Sequence, residues 1–321
     1  MLFRHPSTMT PFPPPNFPVD VKPAEYSNSV WESLPPFLRF HGYRLITQRD
    51  VASDPVEWAS PAQDDDCLYC PFFTGAIFQG FRLSDSQEVI FKIIDTSKGD
   101  EVRILSYLKQ CESTTSRGLH QKVVPILEII EVTTTLSIAV TEEWGIFCNY
   151  YDGSPETWEE FAEFACQVLE GLAFLHAHRI AHLDVSSGNI LPSPPWYPHP
   201  HRLYSFIDFG QSFMFASSES CFVKGDHTTH KAPEMSKVKE YDAFKADVWQ
   251  MGDFLSLALA LAAEEYSFNV EGLPALLAKM KHPVPAELPT AEEAFMELKV
   301  EGATARETVN TMTGFTPLTP L

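Results

Sequence analysis

Four polar side chains of this sequence stand where they could handle a phosphate group and a metal ion. Lys92 lies in the middle of the apolar run 88–94, and a lysine at a strand centre is costly to bury without an anionic partner. Asp184 and Asn189 share a loop after a predicted helix, and Asp208 ends the short apolar run 204–207. Carboxylate, amide and phosphate oxygens are the hard ligands that Mg²⁺ prefers. These residue types favour chemistry on a phosphate.

The four residues belong to a series of short motifs that occur in a fixed order. The series reads Ile90-Phe91-Lys92-Ile93, His182-Leu183-Asp184-Val185-Ser186-Ser187-Gly188-Asn189, Asp208-Phe209-Gly210, Ala232-Pro233-Glu234 and Asp247-Val248-Trp249-Gln250-Met251-Gly252. Any one of these motifs is weak by itself, but together and in this order they resemble a eukaryotic protein kinase domain. The resemblance covers about residues 68–300 and implies a bilobal α+β fold, with a small β-rich N-lobe and a larger helical C-lobe.

The resemblance also implies a role for each matched residue. Lys92 would reach the α- and β-phosphates of ATP and pair with Glu101 of the next helix. Asp184 would accept or orient the proton of the substrate hydroxyl, while Asn189 and Asp208 would bind Mg²⁺. Asp247 resembles a buried aspartate that caps the backbone of the catalytic loop, and His182 is expected to be a packed core histidine.

The glycine-rich loop of the family is degraded in this chain. Gly75 and Ile77 align with its end and are the expected nucleotide-binding positions, but Cys70 and Phe72 stand where two glycines belong. Fewer backbone amides could then approach the phosphates closely.

Three further departures lie in the second half of the chain. Leu183 replaces the arginine that pairs with a phosphorylated activation segment, and Ser186 replaces a lysine that contacts the γ-phosphate. Leu288 stands where an arginine would pair with Glu234. The motif His-x-Asp-Val-Ser-Ser-Gly-Asn-Ile and the run Tyr-Asp-Ala-Phe-Lys-Ala-Asp-Val-Trp-Gln (241–250) are together similar to divergent kinase-like proteins of basidiomycete fungi.

Hydrophobic periodicity predicts the elements that must position these residues. Strands are expected over 76–83, 88–94, 124–132 and 136–140, with a helix over 101–110 between them. Beyond Gly145 helices dominate, and Ser154-Pro155-Glu156-Thr157 predicts a helix start with serine as the cap. The nearly all-apolar run 251–263 predicts a buried helix, and 291–300 a last one.

Composition limits the partners and the compartment. Lys and Arg number 23 against 43 Asp and Glu, a net charge of −20, which disfavours nucleic acid and anionic membranes as partners. The six cysteines show no paired framework, so we expect an intracellular protein, cytoplasmic or nuclear, with Cys67 and Cys70 as reduced thiols and not zinc ligands. The sequence gives no signal for an oligomeric state.

The sequence predicts three regions and leaves the function open between classes. Residues 1–60 form a Pro-rich, partly packed extension, 61–300 a kinase-like domain with lobes of about 68–144 and 145–300, and 301–321 a tail. We expect an ATP- and Mg²⁺-dependent protein kinase that acts on Ser or Thr of a protein substrate. The alternatives are a pseudokinase that serves as a nucleotide-binding or interaction scaffold, and a small-molecule phosphotransferase.

Overall fold

The computed structural model describes residues 28–47, 50, 75–114, 122–145, 155, 157–199, 201–226, 228, 230–266 and 272–299. The chain divides into two compact units, one of residues 1–98 with 126–143 and the other of residues 99–125 with 144–321. Cys67, Cys70, Cys148 and the helix-start residues Ser154 and Glu156 lie outside the described residues. The prediction that Cys67 and Cys70 are reduced thiols therefore stays a prediction, whereas the start of the helix that follows Ser154 can be compared with the structure.

The first unit is built on a five-stranded antiparallel sheet. Its helices are α1 (Asn28–Ser33) and α2 (Pro35–Phe40). Its strands are β1 (Tyr43–Leu45), β2 (Ile77–Arg82), β3 (Glu88–Asp95), β4 (Ile126–Thr133) and β5 (Leu136–Glu142), in the order β1-β2-β3-β5-β4. The predicted strands over 76–83, 88–94, 124–132 and 136–140 are present with small shifts at their ends.

One face of this sheet packs on the two short helices to form the core of the unit. Phe78, Phe91 and Ile138, on neighbouring strands, are fully or almost fully buried beside Trp31 of α1. The Trp31 indole N–H donates to the carbonyl of Gly75 at 2.7 Å, immediately before β2. A segment far upstream of the kinase motifs thus supplies part of the core and one strand of the sheet.

The second unit is mainly helical and carries short two-stranded ladders. Its helices are α3 (Glu101–Thr114), α4 (Trp158–Ala177), α5 (Ala243–Tyr266), α6 (Leu273–Met280) and α7 (291–299). Its antiparallel strand pairs are β6 (Ile180–Ala181) with β9 (Phe213–Met214), β7 (Ile190–Pro192) with β8 (Tyr204–Phe206), and β10 (Phe222–Val223) with β11 (Tyr241–Asp242). A five-stranded sheet followed by this helical region confirms the expected kinase-like α+β class.

Local chemistry determines where the two longest helices begin. Thr157 is the N-cap of α4, because its side chain accepts from the Glu160 amide while the Glu160 side chain accepts from the Thr157 amide. The start predicted from Ser154 was therefore three residues early. Asp242 precedes α5, and its Oδ1 accepts from the amides of Phe244 and Lys245 at 2.9 and 3.2 Å.

The hairpin β7–β8 packs closely on α4. A Cβ atom added at Gly171 of α4 would lie 2.8 Å from the ring of Phe206 in β8, so the helix can approach only because no side chain is there. None of the helices in the described ranges is long and apolar enough to cross a membrane.

We predict that Trp31→Ala destabilises the protein by about 3–5 kcal/mol, because the substitution leaves a large cavity in the sheet core and removes the bond to Gly75. Urea denaturation followed by circular dichroism measures the change. Phe40→Ala on α2 is the control, since Phe40 is 48% exposed and should cost under about 1 kcal/mol. Equal losses for the two variants would contradict the assignment of Trp31 to the core.

Candidate active site

The loop that carries Asp184 is held by one buried carboxylate. Asp247, at the start of α5, is fully buried and accepts from the backbone amides of His182 at 2.8 Å and Leu183 at 2.6 Å. His176 Nε2 lies 2.9 Å from the same carboxylate. A buried charge needs such partners, and here they fix the backbone directly before Asp184. The expected capping role of Asp247 is confirmed.

This cap holds a backbone conformation that a side chain normally avoids. Leu183 has φ of 61°, in the left-handed region that disfavours residues with a Cβ atom by about 1 kcal/mol or more. Asp247 binds the amide of Leu183 itself and the amide of the preceding His182, and these two bonds offset the strain. The backbone directly before Asp184 is therefore fixed, and with it the direction of the Asp184 side chain.

Both oxygens of the Asp184 carboxylate have partners within the second unit. Asn189 donates from Nδ2 to Oδ2 at 2.9 Å and to the Asp184 carbonyl at 2.8 Å, which closes the turn between them. Thr228 donates from its hydroxyl to Oδ1 at 2.5 Å. The predicted residues Asp184 and Asn189 are thus brought together, and an alcohol group already fits against the carboxylate.

His182 organises the loop and stays away from solvent. Its ring is fully buried between Phe206 and Phe209, with centroid distances of 5.4 and 5.2 Å. Nε2 lies 2.9 Å from the Ile207 carbonyl and Nδ1 lies 3.3 Å from the Asp184 amide. This network assigns the proton to Nε2, with Nδ1 as the acceptor. His182 is a packed core histidine, as expected from the sequence.

Asn189 and Asp208 lie at the same end of the β7–β8 hairpin. Asn189 directly precedes β7, Ile207 directly follows β8, and the Ile207 amide donates to the Asn189 carbonyl at 3.0 Å. Asp208 has φ of 59°, and its Oδ1 accepts from the Gly210 amide at 3.0 Å. Because Asn189 directs its NH₂ group to Asp184, its amide oxygen is the atom that could bind a metal ion. A carboxylate and an amide oxygen suit Mg²⁺.

The remaining predicted nucleotide residues lie on the sheet of the first unit. The strand registers pair Lys92 of β3 with Ile77 of β2 and Ala139 of β5, so the three side chains share one face. This face is opposite to the core that contains Phe91. Gly75 lies just before β2 and is bound through its carbonyl by Trp31.

Glu101 lies in the second unit, at the first position of α3, and is 7% exposed. Its predicted ion pair with Lys92 joins residues of the two units and stays a prediction.

Sequence reasoning did not identify two residues that contact the Asp184 loop. No sequence pattern points to Thr228, and Gln250 stands in the sequence only as part of a motif. Both make long-range bonds, 44 and 65 positions from their partners Asp184 and Val185. The one available signal in the sequence was the amide of Gln250 between the apolar neighbours Trp249 and Met251.

Glu234 carries an uncompensated buried oxygen. Its Oε1 has no hydrogen-bond partner in the described part of the chain. Leu288 is 3% exposed, and its carbonyl accepts from Lys245 Nζ at 2.5 Å. Burial raises the pKa of the Glu234 carboxyl above its ordinary value, and the nearby charge of Asp242 adds to the effect.

We predict that Glu234→Gln becomes more stable relative to the native protein as the pH rises from about 5 to about 8. An acid whose pKa is raised by folding contributes stability at low pH, and this stability is lost as the pH rises through the folded-state pKa. Glutamine does not titrate, so the free energy of unfolding of the variant lacks this pH dependence. Melting temperatures across this range test the prediction. Glu293→Gln is the control, because hydrogen bonds from Thr290 lower the pKa of Glu293 and this variant should gain nothing. A pH-independent difference for Glu234→Gln would contradict it.

Comparison with known proteins agrees with this arrangement. A CBL-interacting protein kinase of Oryza sativa subsp. japonica is 26% identical over 192 residues, which cover 57% of this chain and 40% of the relative. A probable serine/threonine-protein kinase of Dictyostelium discoideum is 24% identical over 181 residues, 56% of this chain and 35% of the relative. A probable serine/threonine-protein kinase of Candida glabrata is 33% identical over 95 residues, 28% and 12% of the two chains. This chain spans less than half the length of each relative.

A family model described as the protein kinase domain matches residues 73–281, more than half of the chain. The matched range contains the Asp247-capped loop, the β7–β8 hairpin and the strand that carries Lys92. The chain therefore belongs to the protein kinase domain family.

Proposed function

We propose that the chain is an ATP- and Mg²⁺-dependent protein kinase that transfers a phosphoryl group to Ser or Thr of a protein substrate. The observation that carries the proposal is the Asp184 carboxylate. One of its oxygens is fixed by Asn189, and the other accepts from a threonine hydroxyl at 2.5 Å. A carboxylate that already binds one alcohol can bind and orient the hydroxyl of a substrate in the same way.

The chain's own residues would divide the work by charge. Asp184 orients the acceptor hydroxyl and takes its proton, while Asn189 and Asp208 supply oxygens to Mg²⁺. When bound, Mg²⁺ neutralises charge on the phosphate oxygens of ATP. Lys92, on the sheet face shared with Ile77, would supply positive charge for the α- and β-phosphates. Gly75, at the end of the degraded glycine-rich loop, would lie where that loop covers these phosphates. Glu101 would hold the Lys92 ammonium in place.

The finer assignments rest on similarity and remain proposals. Two of the relatives are probable serine/threonine-protein kinases, which supports a Ser/Thr-directed activity for this chain. The proposed similarity to basidiomycete kinase-like proteins rests on the loop motif and on the run 241–250. An intracellular location and the region boundaries at about residues 60 and 300 are proposed on the sequence patterns.

A pseudokinase scaffold is the second candidate, and one observation favours it. Both oxygens of Asp184 are already engaged within the chain, and a substrate hydroxyl would have to share or displace the Thr228 hydroxyl. The replacements at Leu183 and Ser186 point the same way. A thermal-shift titration with ATP and MgCl₂, followed by a generic phosphotransfer assay, separates the two functions. Turnover identifies the kinase, whereas an absence of turnover in the folded protein supports the scaffold.

We predict that Asp184→Asn lowers phosphotransfer by roughly a hundredfold or more, because an amide cannot take the hydroxyl proton. The melting-temperature shift produced by Mg-ATP should persist, since Asp184 is not among the proposed nucleotide ligands. Asp85→Asn, an exposed aspartate paired with Arg82, is the control and should leave the rate unchanged. A rate that survives in Asp184→Asn would assign the base to another residue.

Activity should not depend on phosphorylation of the activation segment, which comprises residues 211–231 and follows Asp208-Phe209-Gly210. Leu183 is 3% exposed and packs with Phe215, Val223, Ala232 and Tyr241, so its position offers an apolar contact and no charge for a phosphate. Backbone ladders and local bonds already hold the segment. Arg179, for example, donates to the carbonyls of Ala216 and Glu219.

We therefore predict that phosphatase treatment changes the rate by less than about twofold. The combined variant Ser217→Ala, Ser218→Ala and Ser220→Ala, which alters three exposed serines, should behave like the native protein. Thr228 and Ser212 are excluded from the series because their hydroxyls bind Asp184 and the His182 carbonyl. A tenfold fall on dephosphorylation, about 1.4 kcal/mol of barrier, would show that another cation performs the role of the missing arginine.

A further inference from the structure

Gln250 is a fully buried amide on the inner side of α5. An amide side chain carries two N–H donors and a carbonyl acceptor, and leaving them unsatisfied in a protein interior destabilises the fold. A buried residue of this kind needs partners. Its partners are backbone groups of the Asp184 loop and of the segment that carries Thr228, together with the Met235 sulfur, which lies 3.7 Å from Nε2.

The first set of partners lies on both sides of Asp184. Gln250 Oε1 accepts from the Val185 amide at 3.3 Å, and Nε2 lies 3.4 Å from the Leu183 carbonyl. One side chain therefore contacts the residue before and the residue after the aspartate. Asp247, one helical turn earlier, holds the amides of His182 and Leu183. The two side chains of α5 secure successive parts of the same loop.

The second partner leads back to the carboxylate itself. Gln250 Nε2 donates to the His230 carbonyl at 2.5 Å. The His230 amide donates to Thr228 Oγ1 at 3.2 Å, and that hydroxyl donates to Asp184 Oδ1. Bonds from Gln250 thus form a closed ring that passes through His230, Thr228 and Asp184 and returns along the loop backbone.

A second side chain of α5 lies close to the same point of the ring. The His230 ring nitrogen Nδ1 lies 3.7 Å from Asp253, three residues after Gln250, and Asp253 is also paired with Lys281 at 2.9 Å. This distance is too long for a hydrogen bond, so an ion pair forms here only when the His230 ring is protonated. The bond from Gln250 to the His230 carbonyl, in contrast, holds the Thr228 segment to α5 whatever the charge of that ring.

We propose that Gln250 is a positioning residue that holds the Asp184 carboxylate and the Thr228 hydroxyl in register. The proposal extends the kinase function proposed above and rests on it for its catalytic consequence. An apolar residue at position 250 could fill the same volume, but it could not bind both sides of the loop and the His230 carbonyl at once. Gln250 acts through Asp184 and Thr228 and does not contact substrate.

The test compares Gln250→Met with a matched variant, Gln167→Met. Gln167 on α4 makes bonds of the same kind, accepting from the Tyr204 amide and donating to the Arg202 carbonyl at 3.0 Å each, but it serves the β7–β8 hairpin. Both substitutions remove an amide and keep the side-chain length. They differ in whether the bonds lost belong to the Asp184 loop.

The first readout is hydrogen–deuterium exchange resolved to single amides, which needs no turnover. In Gln250→Met we expect the Val185 amide to exchange at least tenfold faster, while the His182 and Leu183 amides, bound to Asp247, stay protected. In Gln167→Met the Tyr204 amide should change and Val185 should not. Unchanged exchange at Val185 in Gln250→Met would overturn the proposal, whether or not the native protein is an active kinase.

The second readout is turnover on a generic phosphate acceptor at varied ATP concentration. Gln250→Met should lower kcat by tenfold or more with KM for ATP within about threefold, and its Mg-ATP thermal shift should match that of the native protein. Gln167→Met should keep kcat within about twofold. If the native protein turns over, an unaltered kcat in Gln250→Met, or an equal loss in Gln167→Met, would overturn the proposal. Absence of native turnover is evidence against the kinase function, and the exchange at Val185 then decides for or against the role of Gln250.

Gln250→Glu keeps the test decisive if the methionine variant does not fold. Its neutral acid can still donate to the His230 carbonyl, whereas its carboxylate would face two carbonyl oxygens. We expect the ratio of its kcat to the native kcat to fall at least tenfold as the pH is raised through the pKa of the new buried acid. A ratio that does not change with pH would show that position 250 only fills space.

Discussion

The active-site half of this protein depends on the buried carboxylate of Asp247. It binds two successive backbone amides of the loop and a histidine from α4, and so it joins the start of α5, the end of α4 and the residues before Asp184. A charge with no exposure to solvent is tolerated only while all its partners are present. Its need for partners and the loop's need for a fixed shape are therefore met by the same bonds. Leu183 can then adopt a left-handed backbone that its side chain would otherwise oppose.

Around this anchor the chain has replaced charge with apolar packing. Leu183 joins a cluster with Phe215 and Tyr241, and Leu288 is buried near Lys245 instead of offering a cation to Glu234. Packing contributes stability that does not depend on ionic strength or on modification. Among the residues that the structure describes, none supplies a hydrogen bond to one buried carboxyl oxygen of Glu234.

Much of the fold could be predicted from the sequence, because strands and helices follow from local hydrophobic period and the motif order fixes their succession. The four strands from 76 to 140 were placed within a few residues. The helix predicted over 251–263 begins eight residues earlier, at Ala243, and it leaves Leu257 and Leu261 about half exposed, so it is less buried than its apolar sequence indicates. The start of α4 lies at Thr157 and not at Ser154, because Thr157 and Glu160 form a reciprocal cap. Strand β1 was missed because three residues are too few to show an alternating pattern. The roles of Thr228 and Gln250 were also missed, since they arise from bonds between residues far apart in the chain.

The short strand β1 also determines which edge the sheet presents to its surroundings. β1 pairs with β2 from Tyr43 to Leu45 and covers part of a strand twice its length, whereas the family match begins only at residue 73. A fragment that starts at that match would leave one side of β2 with unpaired N–H and C=O groups, next to the core that Trp31 normally fills. Such an edge is a template for pairing with other chains, so a fragment of this kind would tend to self-associate. The residues ahead of the matched range therefore cover a sheet edge that would otherwise be open to pairing.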